Sequence, residues 1–210
     1  IAAQLFGSDA NKFRQAVALI AELGFDGIDI NMGCPDKDVV KMGAGAALII
    51  TPELAREIIA AAKAGSNGLP VSVKTRIGYN KIETGRWIKN LLKAKPAAIA
   101  IHGRTKKEMS KVPAHWAEIG QAAEMAKGSG VLILGNGDVR DIEEAEEKAR
   151  TYNLDGVMLG RAIFGNPWLF NKGIKKRDLS FETIINSLIE HTVLFENLFG
   201  GRKPFALMKK

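Results

Sequence analysis

Cysteine is all but absent: 210 residues contain one, Cys34. That excludes an internal disulfide framework and any zinc site built from several cysteines, and it fits a reducing, cytoplasmic setting. No run of 18 apolar residues exists, which excludes a helical membrane span. No secretory leader is expected from the opening IAAQLF, which has neither a basic start nor a Met. An apolar strand as the opening residues is expected to begin inside a domain. Acids are in deficit, 23 Asp and Glu against 30 Lys and Arg, and the net charge of +7 hints at a polyanionic partner without requiring one.

With 46% hydrophobic and 25% charged residues the composition is that of a globular protein, long enough for one domain with a small appendage. Short apolar runs recur at Ile1–Phe6, Gly27–Asn31, Val71–Lys74, Ala97–Ile101, Val131–Leu134 and Gly156–Leu159. Segments with helical spacing separate them. Phe13, Ala16, Val17 and Ile20 share one face of the first. Thr51-Pro52-Glu53 opens the second, with Pro at the first helical position. Ile82–Leu92, Trp116–Met125 and Ile142–Ala149 predict three more helices. Strict strand–helix alternation implies a parallel sheet covered by helices.

The polar residues choose between a barrel and an open doubly wound sheet. Gln4, Asn31, Lys74 with Arg76, His102 with Arg104, Asn136 with Asp138, and Gly160-Arg161 lie at or just after the six strand ends. A barrel gathers all such ends around one mouth, whereas an open sheet converges only those beside its switch point. The expected fold is therefore an α/β TIM (β/α)8 barrel, here incomplete, with strands three to eight in residues 1–170. Residues 171–210 read as a charged connector, NKGIKKR, and the start of a helical domain, with Ser180 as cap and Phe181, Ile184, Ile185, Leu188 and Ile189 on one stripe. Those forty residues carry eight Lys or Arg against four Asp or Glu, +4 of the total +7.

GNGD (Gly135–Asp138) and LGR (Leu159–Arg161) follow the last two strands, where this fold commonly grips a phosphoryl group with glycine-rich loops and a cation. The same glycines would also serve two tight turns. MGAGAAL (Met42–Leu48) lacks the third glycine of a dinucleotide loop and does not follow a strand. Lys74 and Arg76 share one side of a strand, with Thr75 pointing away. His102 and Arg104 close the next strand; a lone histidine can equally be structural. A free cysteine is usually a small buried hydrophobe. Cys34, however, sits at the mouth between Gly33 and Pro35, three residues after Asn31. An ordinary thiol, with a pKa of about 8.5, is mostly protonated at neutral pH and can donate a proton. No metal site is expected.

DINMGCP, VKTRIG, IHGRT, GNGD and MLGRAIFGNPW, in this order, resemble the tRNA-dihydrouridine synthases, from Gln4 through Trp168. The resemblance implies an FMN-dependent enzyme that takes its electrons from NADPH, reduces the C5–C6 bond of uridines in tRNA, and uses Cys34 to protonate C5. Gln4 and Lys74 would contact the flavin ring, with His102 beside it. Asn136, Gly137, Asp138, Gly160 and Arg161 would hold its ribityl phosphate, and Asn31, Arg76 and Arg104 would orient the uracil or a neighbouring phosphate. The helical domain would help hold tRNA. One loop departs from the family pattern. Where a Gln, a Tyr and a Gly commonly follow HGRT, this chain has Glu108, Ser110 and Val112. With the first two strands missing, residues 1–210 alone are expected to bind FMN weakly and to be inactive on tRNA.

Three other readings stay open on the sequence. Another FMN barrel enzyme could reduce a free pyrimidine or an enone. A barrel without catalysis could bind RNA, and a flavin-free barrel could act on a sugar phosphate. Nothing in the sequence sets the oligomeric state.

Overall fold

The chain is seen in a computed structural model that describes residues 1–171 and 173–209. Lys172 of the expected connector and Lys210 at the end of the expected appendage lie outside the described residues. Six strands form one parallel sheet: β1 (Ala2–Leu5), β2 (Gly27–Met32), β3 (Val71–Arg76), β4 (Ala98–His102), β5 (Leu132–Asn136) and β6 (Gly156–Met158). Their spatial order is their sequence order, β1 to β6 without a reversal. A doubly wound sheet reverses its order at a switch point, and this one does not. The architecture is an incomplete α/β barrel, open between β1 and β6.

The helices lie on one face. They are α1 (Ala10–Glu22), the short α2 (Lys37–Lys41), α3 (Pro52–Gly65), α4 (Thr84–Lys93), α5 (Trp116–Ala126) and α6 (Ile142–Thr151). Local chemistry fixes their starts. Asp9 accepts the Lys12 N–H at 3.0 Å, Pro52 occupies the first turn of α3, and Asp141 accepts the Glu144 N–H at 2.8 Å. In α6 the acids Glu143 and Glu144 stand in the first turn and Lys148 and Arg150 in the last, matching the helix dipole. Phe13, Val17 and Ile20 turn inward from α1, as their spacing predicts, and α1 packs on α3, α3 on α4 and α4 on α5.

Alternation along each strand divides the sheet into two faces. Ile28, Ile30 and Met32 of β2, Val71, Val73 and Thr75 of β3, and Ile99 and Ile101 of β4 are buried beneath the helices. The opposite face is polar toward the strand C-termini. Register sets Gln4 beside Asp29 and Asp29 beside Ser72; further along, Asn31 stands beside Lys74. At the mouth Arg76 lies beside His102, and His102 beside Asn136. Three strands run further than their apolar residues predict, to Arg76, His102 and Asn136, because the ladder continues into this polar row.

Met42–Leu48 forms no strand-to-helix phosphate loop. Gly45–Ile49 is a buried 3-10 turn tied to the Cys34 loop by the Ala46 N–H, which donates to the Cys34 carbonyl at 3.0 Å. Beyond the barrel, α7 (Phe181–Phe199) is capped by Ser180, whose hydroxyl accepts the Thr183 N–H at 3.1 Å, and it leaves Leu188, Ile189, Val193 and Leu194 exposed. Among the described residues no helix is long and apolar enough to cross a membrane.

Candidate active site

The loop after β2 carries Cys34, half-buried. Asn31 shapes it: its Oδ1 accepts the N–H of Gly33 at 3.1 Å and of Cys34 at 2.9 Å, an Asx turn that folds the chain back over the strand end. Gly33 is favoured by closeness rather than by its dihedrals, since an added Cβ would press on the Thr75 backbone at 3.2 Å. From the next strand, Arg76 Nε donates to the Gly33 carbonyl at 2.7 Å. Its Nη1 donates to the carbonyls of Thr105 at 3.2 Å and Met109 at 3.3 Å. Burial first, and then the charge of Arg104, lower this guanidinium from its usual range.

Thr75 does point away, as alternation predicts. Its hydroxyl donates to the Met32 carbonyl and accepts from Trp87 Nε1 at 2.9 Å. Lys74, on the inner face, has its pKa pushed down to about 8, mainly by burial and then by Arg76, while Asp29 works in the opposite direction. His102 is pushed down to about 3 by burial, then by the charges of Arg76, Lys74 and Arg104, with Asp138 opposing. At neutral pH its ring is uncharged.

Arg104 is buried and fully engaged. Nε donates to the Val112 carbonyl at 2.5 Å, Nη1 meets His102 Nε2 at 3.1 Å, and Nη2 donates to Asp138. Asp138 also accepts the Ala114 N–H at 3.0 Å and approaches Arg161 at 3.5 Å. Burial alone would raise the Asp138 carboxyl. The Arg104 and Ala114 bonds and the charges of Arg104 and Arg161 outweigh it and hold the carboxyl below the usual range.

These groups border a cavity of about 500 Å³ lined by His102, Asn136, Gly137, Asp138, Gly160 and Arg161 among others. Asn136 Nδ2 donates to the Met158 carbonyl at 2.8 Å, joining the two glycine loops. Gly137 has φ +129°, and an added Cβ would stand 2.8 Å from Ala114 Cβ and 3.2 Å from His102 Cδ2. No other residue fits there. A Cβ at Gly160 would meet nothing within 4 Å. Among the described residues the N–H groups of Gly137, Asp138 and Gly160 have no protein acceptor. Three arginines line it, Arg104, Arg140 and Arg161; even with Arg140 paired to Glu144, the other two against the Asp138 carboxylate and a neutral histidine leave the cavity positive. Free backbone donors and a net cation are a set that can hold a phosphoryl group.

The departing loop has its own closure. Glu108 accepts from the Thr105 N–H at 2.8 Å and the Thr105 hydroxyl at 3.0 Å, and meets His115 Nε2 at 3.0 Å. Val112 supplies the carbonyl that holds Arg104. Gln4 lies on β1 and donates to Asp29 at 2.6 Å. Asp29 and Ser72 belong to the same polar face but lie within their strands rather than at the ends. Their signal was in the alternation, since Asp29 stands two residues before Asn31 and Ser72 two before Lys74. Among the described residues no group of three or more His, Cys, Asp or Glu could hold a metal ion.

A family described as "Dihydrouridine synthase (Dus)" matches residues 1–197. A protein named "Probable tRNA-dihydrouridine synthase" from Staphylococcus epidermidis (strain ATCC 35984) is 44% identical over 198 residues, 92% of this chain and 59% of its own length. "Probable tRNA-dihydrouridine synthase 2" of Bacillus subtilis (strain 168) is 45% identical over 179 residues, 84% of this chain and 54% of its own. The chain thus spans less than two thirds of these relatives. Among solved structures, DHODH from Eimeria tenella in complex with ferulenol superposes with a TM-score of 0.55 at 13% identity, over 75% of this chain and 51% of that one. That likeness concerns the fold.

Proposed function

The chain belongs to the dihydrouridine synthase family, and we propose that the whole protein reduces the C5–C6 bond of uridines in tRNA with FMN as cofactor. One observation carries the reading. The Cys34 loop, Lys74 and the positive glycine loops all stand at the C-terminal end of one parallel sheet, on β2, β3, β5 and β6. With strands about 4.8 Å apart, β2 and β5 are separated by about 14 Å. A ligand that meets both Cys34 and the glycine loops is elongated, with phosphate at one end.

FMN fits this donor set. Its phosphate would lie against Gly137, Gly160 and Arg161, with Asn136 bridging the two loops. Asp138 would offer its N–H while its carboxylate fixes Arg104 and Arg161. Lys74 and Gln4 would meet the ring system, with the neutral His102 beside it. The chemistry supplied by bound FMN is hydride delivery to C6 of uracil, with NADPH as the source. Cys34 donates its thiol proton to C5, the thiolate left behind regains a proton from solvent, and hydride plus proton balance the saturated bond. Asn31 orients the thiol and, through its amide, the uracil. Arg76 acts at the same place, whereas Arg104, with its nitrogens taken, acts through His102 and Asp138.

A base cannot reach this mouth while stacked, so the uridine leaves its stack, most cheaply from a loop. The basic residues from 171 onward and the apolar stripe of α7 fit the start of a helical part that docks tRNA by phosphate contacts. The cytoplasm, where tRNA works, is the proposed location. The test is to treat unmodified tRNA with the complete parent protein, FMN and NADPH, then digest it and weigh the nucleosides. A uridine heavier by two hydrogens at a defined position is expected. Unchanged tRNA with reduction of a free pyrimidine or an enone would replace this reading by the small-molecule one.

A further inference from the structure

A line of hydrogen bonds crosses three strands beneath the cysteine loop. Ser72 Oγ donates to Asp29 Oδ1 at 2.7 Å, and Gln4 Nε2 donates to Asp29 Oδ2 at 2.6 Å. The other end of the same amide, Gln4 Oε1, accepts from Asn31 Nδ2 at 3.1 Å. Asn31 Oδ1, in turn, accepts the N–H groups of Gly33 and Cys34. Each primary amide has one donor end and one acceptor end, and an ionised carboxylate only accepts. The direction of the whole line therefore follows from Asp29. Were Gln4 reversed, its oxygen would face the carboxylate and its nitrogen would face the Asn31 nitrogen. Were Asn31 reversed, its NH2 would face the two loop N–H groups.

We propose that Asp29 is a positioning residue for the proton donor: by fixing the polarity of Gln4 and then Asn31, it holds the backbone of the Cys34 loop. The inference rests on the reading of Cys34 as the acid, yet its test does not use catalysis. It also gives Gln4 a second task. The same amide proposed to face the cofactor ring transmits the orientation, so the cofactor side and the acid side of the site share one hydrogen-bond line.

Cys34 is the chain's one cysteine, so alkylation of the complete parent protein by iodoacetamide, followed at the peptide that carries Cys34, reports on that thiol alone. Asp29→Ala releases Gln4, and Gln4→Glu sets two carboxylates against each other. Both are expected to loosen the loop and accelerate alkylation about tenfold, the equivalent of one lost hydrogen bond. The pair Gln4→Glu with Asp29→Asn restores the order with polarity exchanged. The amide then at position 29 would donate to the carboxylate then at position 4, and that carboxylate would still accept from Asn31. The alkylation rate of this pair is expected within about twofold of the wild type. A merely structural acid would instead lower the unfolding midpoint without this recovery of thiol rate. If Asp29→Ala does not fold, Gln4→Glu and the exchanged pair decide, because both keep a hydrogen-bonding side chain of nearly unchanged size at positions 4 and 29. Alkylation unchanged in Gln4→Glu, or no slower in the exchanged pair than in Gln4→Glu, overturns the proposal. A wild type that does not reduce tRNA, with the thiol rates of the variants as expected above, would count against the proposed function and leave the role of Asp29 standing.

Discussion

Arg76 donates through Nε to the carbonyl of Gly33 over 2.7 Å, so the cation that ends β3 is bound to the peptide immediately before Cys34. Its Nη1 reaches two carbonyls of the loop after β4. One side chain thus braces two loops, and its planar fork is what permits it. Arg76→Met leaves three carbonyls short of a donor, that of Thr105 buried and those of Gly33 and Met109 partly so, and is expected to cost about 2–3 kcal/mol in urea unfolding. Arg76→Lys is expected to recover less than half of that, because one ammonium cannot span both loops. Full recovery by Lys would show that only the charge matters.

Asp138 stands between Arg104 and Arg161. Removing its carboxylate strands a buried guanidinium. Asp138→Ala is expected to destabilise by about 2–3 kcal/mol, below the cost at a fully buried pair because Asp138 is partly solvated. Asp138→Ala combined with Arg104→Met is expected to cost less than the sum of the two single changes in a double-mutant cycle. Additive costs would mean that the two side chains do not act as a pair.

His102 makes stability depend on acid. Its folded pKa, about 3, lies below the unfolded value of 6.5, so between those limits the unfolded chain binds the extra proton. The contribution is whole above pH 6.5 and is lost as pH falls from there toward 3. From pH 7 to pH 5 the loss is expected to be about 1 kcal/mol, after discounting for partial solvation of the ring. Asp138, whose carboxyl is held low, adds a further loss only below about its unfolded value of 3.8. His102→Gln is expected to flatten the profile between pH 5 and 7 in urea titrations. An unchanged slope would place the acid sensitivity elsewhere.

The barrel was legible because burial follows alternation. Val71, Val73 and Thr75 face the helices while Ser72, Lys74 and Arg76 face the other way, and the sequence carries that pattern openly. The apolar runs stop short of the strand ends, at Lys74, Ile101 and Leu134, since the ladder continues where hydrophobicity stops. The site's members were legible by position, at strand ends, but not their partners. Arg104 and Arg76 look alike in sequence, each a cation at or past the end of a strand. One turns to Val112, His102 and Asp138, and the other to the carbonyls of Gly33, Thr105 and Met109. Backbone carbonyls leave no residue-type signature, so bonds to them cannot be read in advance. Asp29 escapes notice for a different reason: it lies one pleat below the mouth, inside an apolar run.

The decisive measurement follows the visible absorbance of the proposed flavin in the complete parent protein. The enzyme is reduced with NADPH without oxygen, and unmodified tRNA is then added to wild type and to Cys34→Ala. Fast reoxidation that depends on tRNA is expected in the wild type, with a loss of at least about 100-fold in Cys34→Ala, the scale of one general acid. Equal reoxidation in both proteins, or a reduced flavin indifferent to tRNA, would contradict the assignment of Cys34 as the proton donor to a uridine.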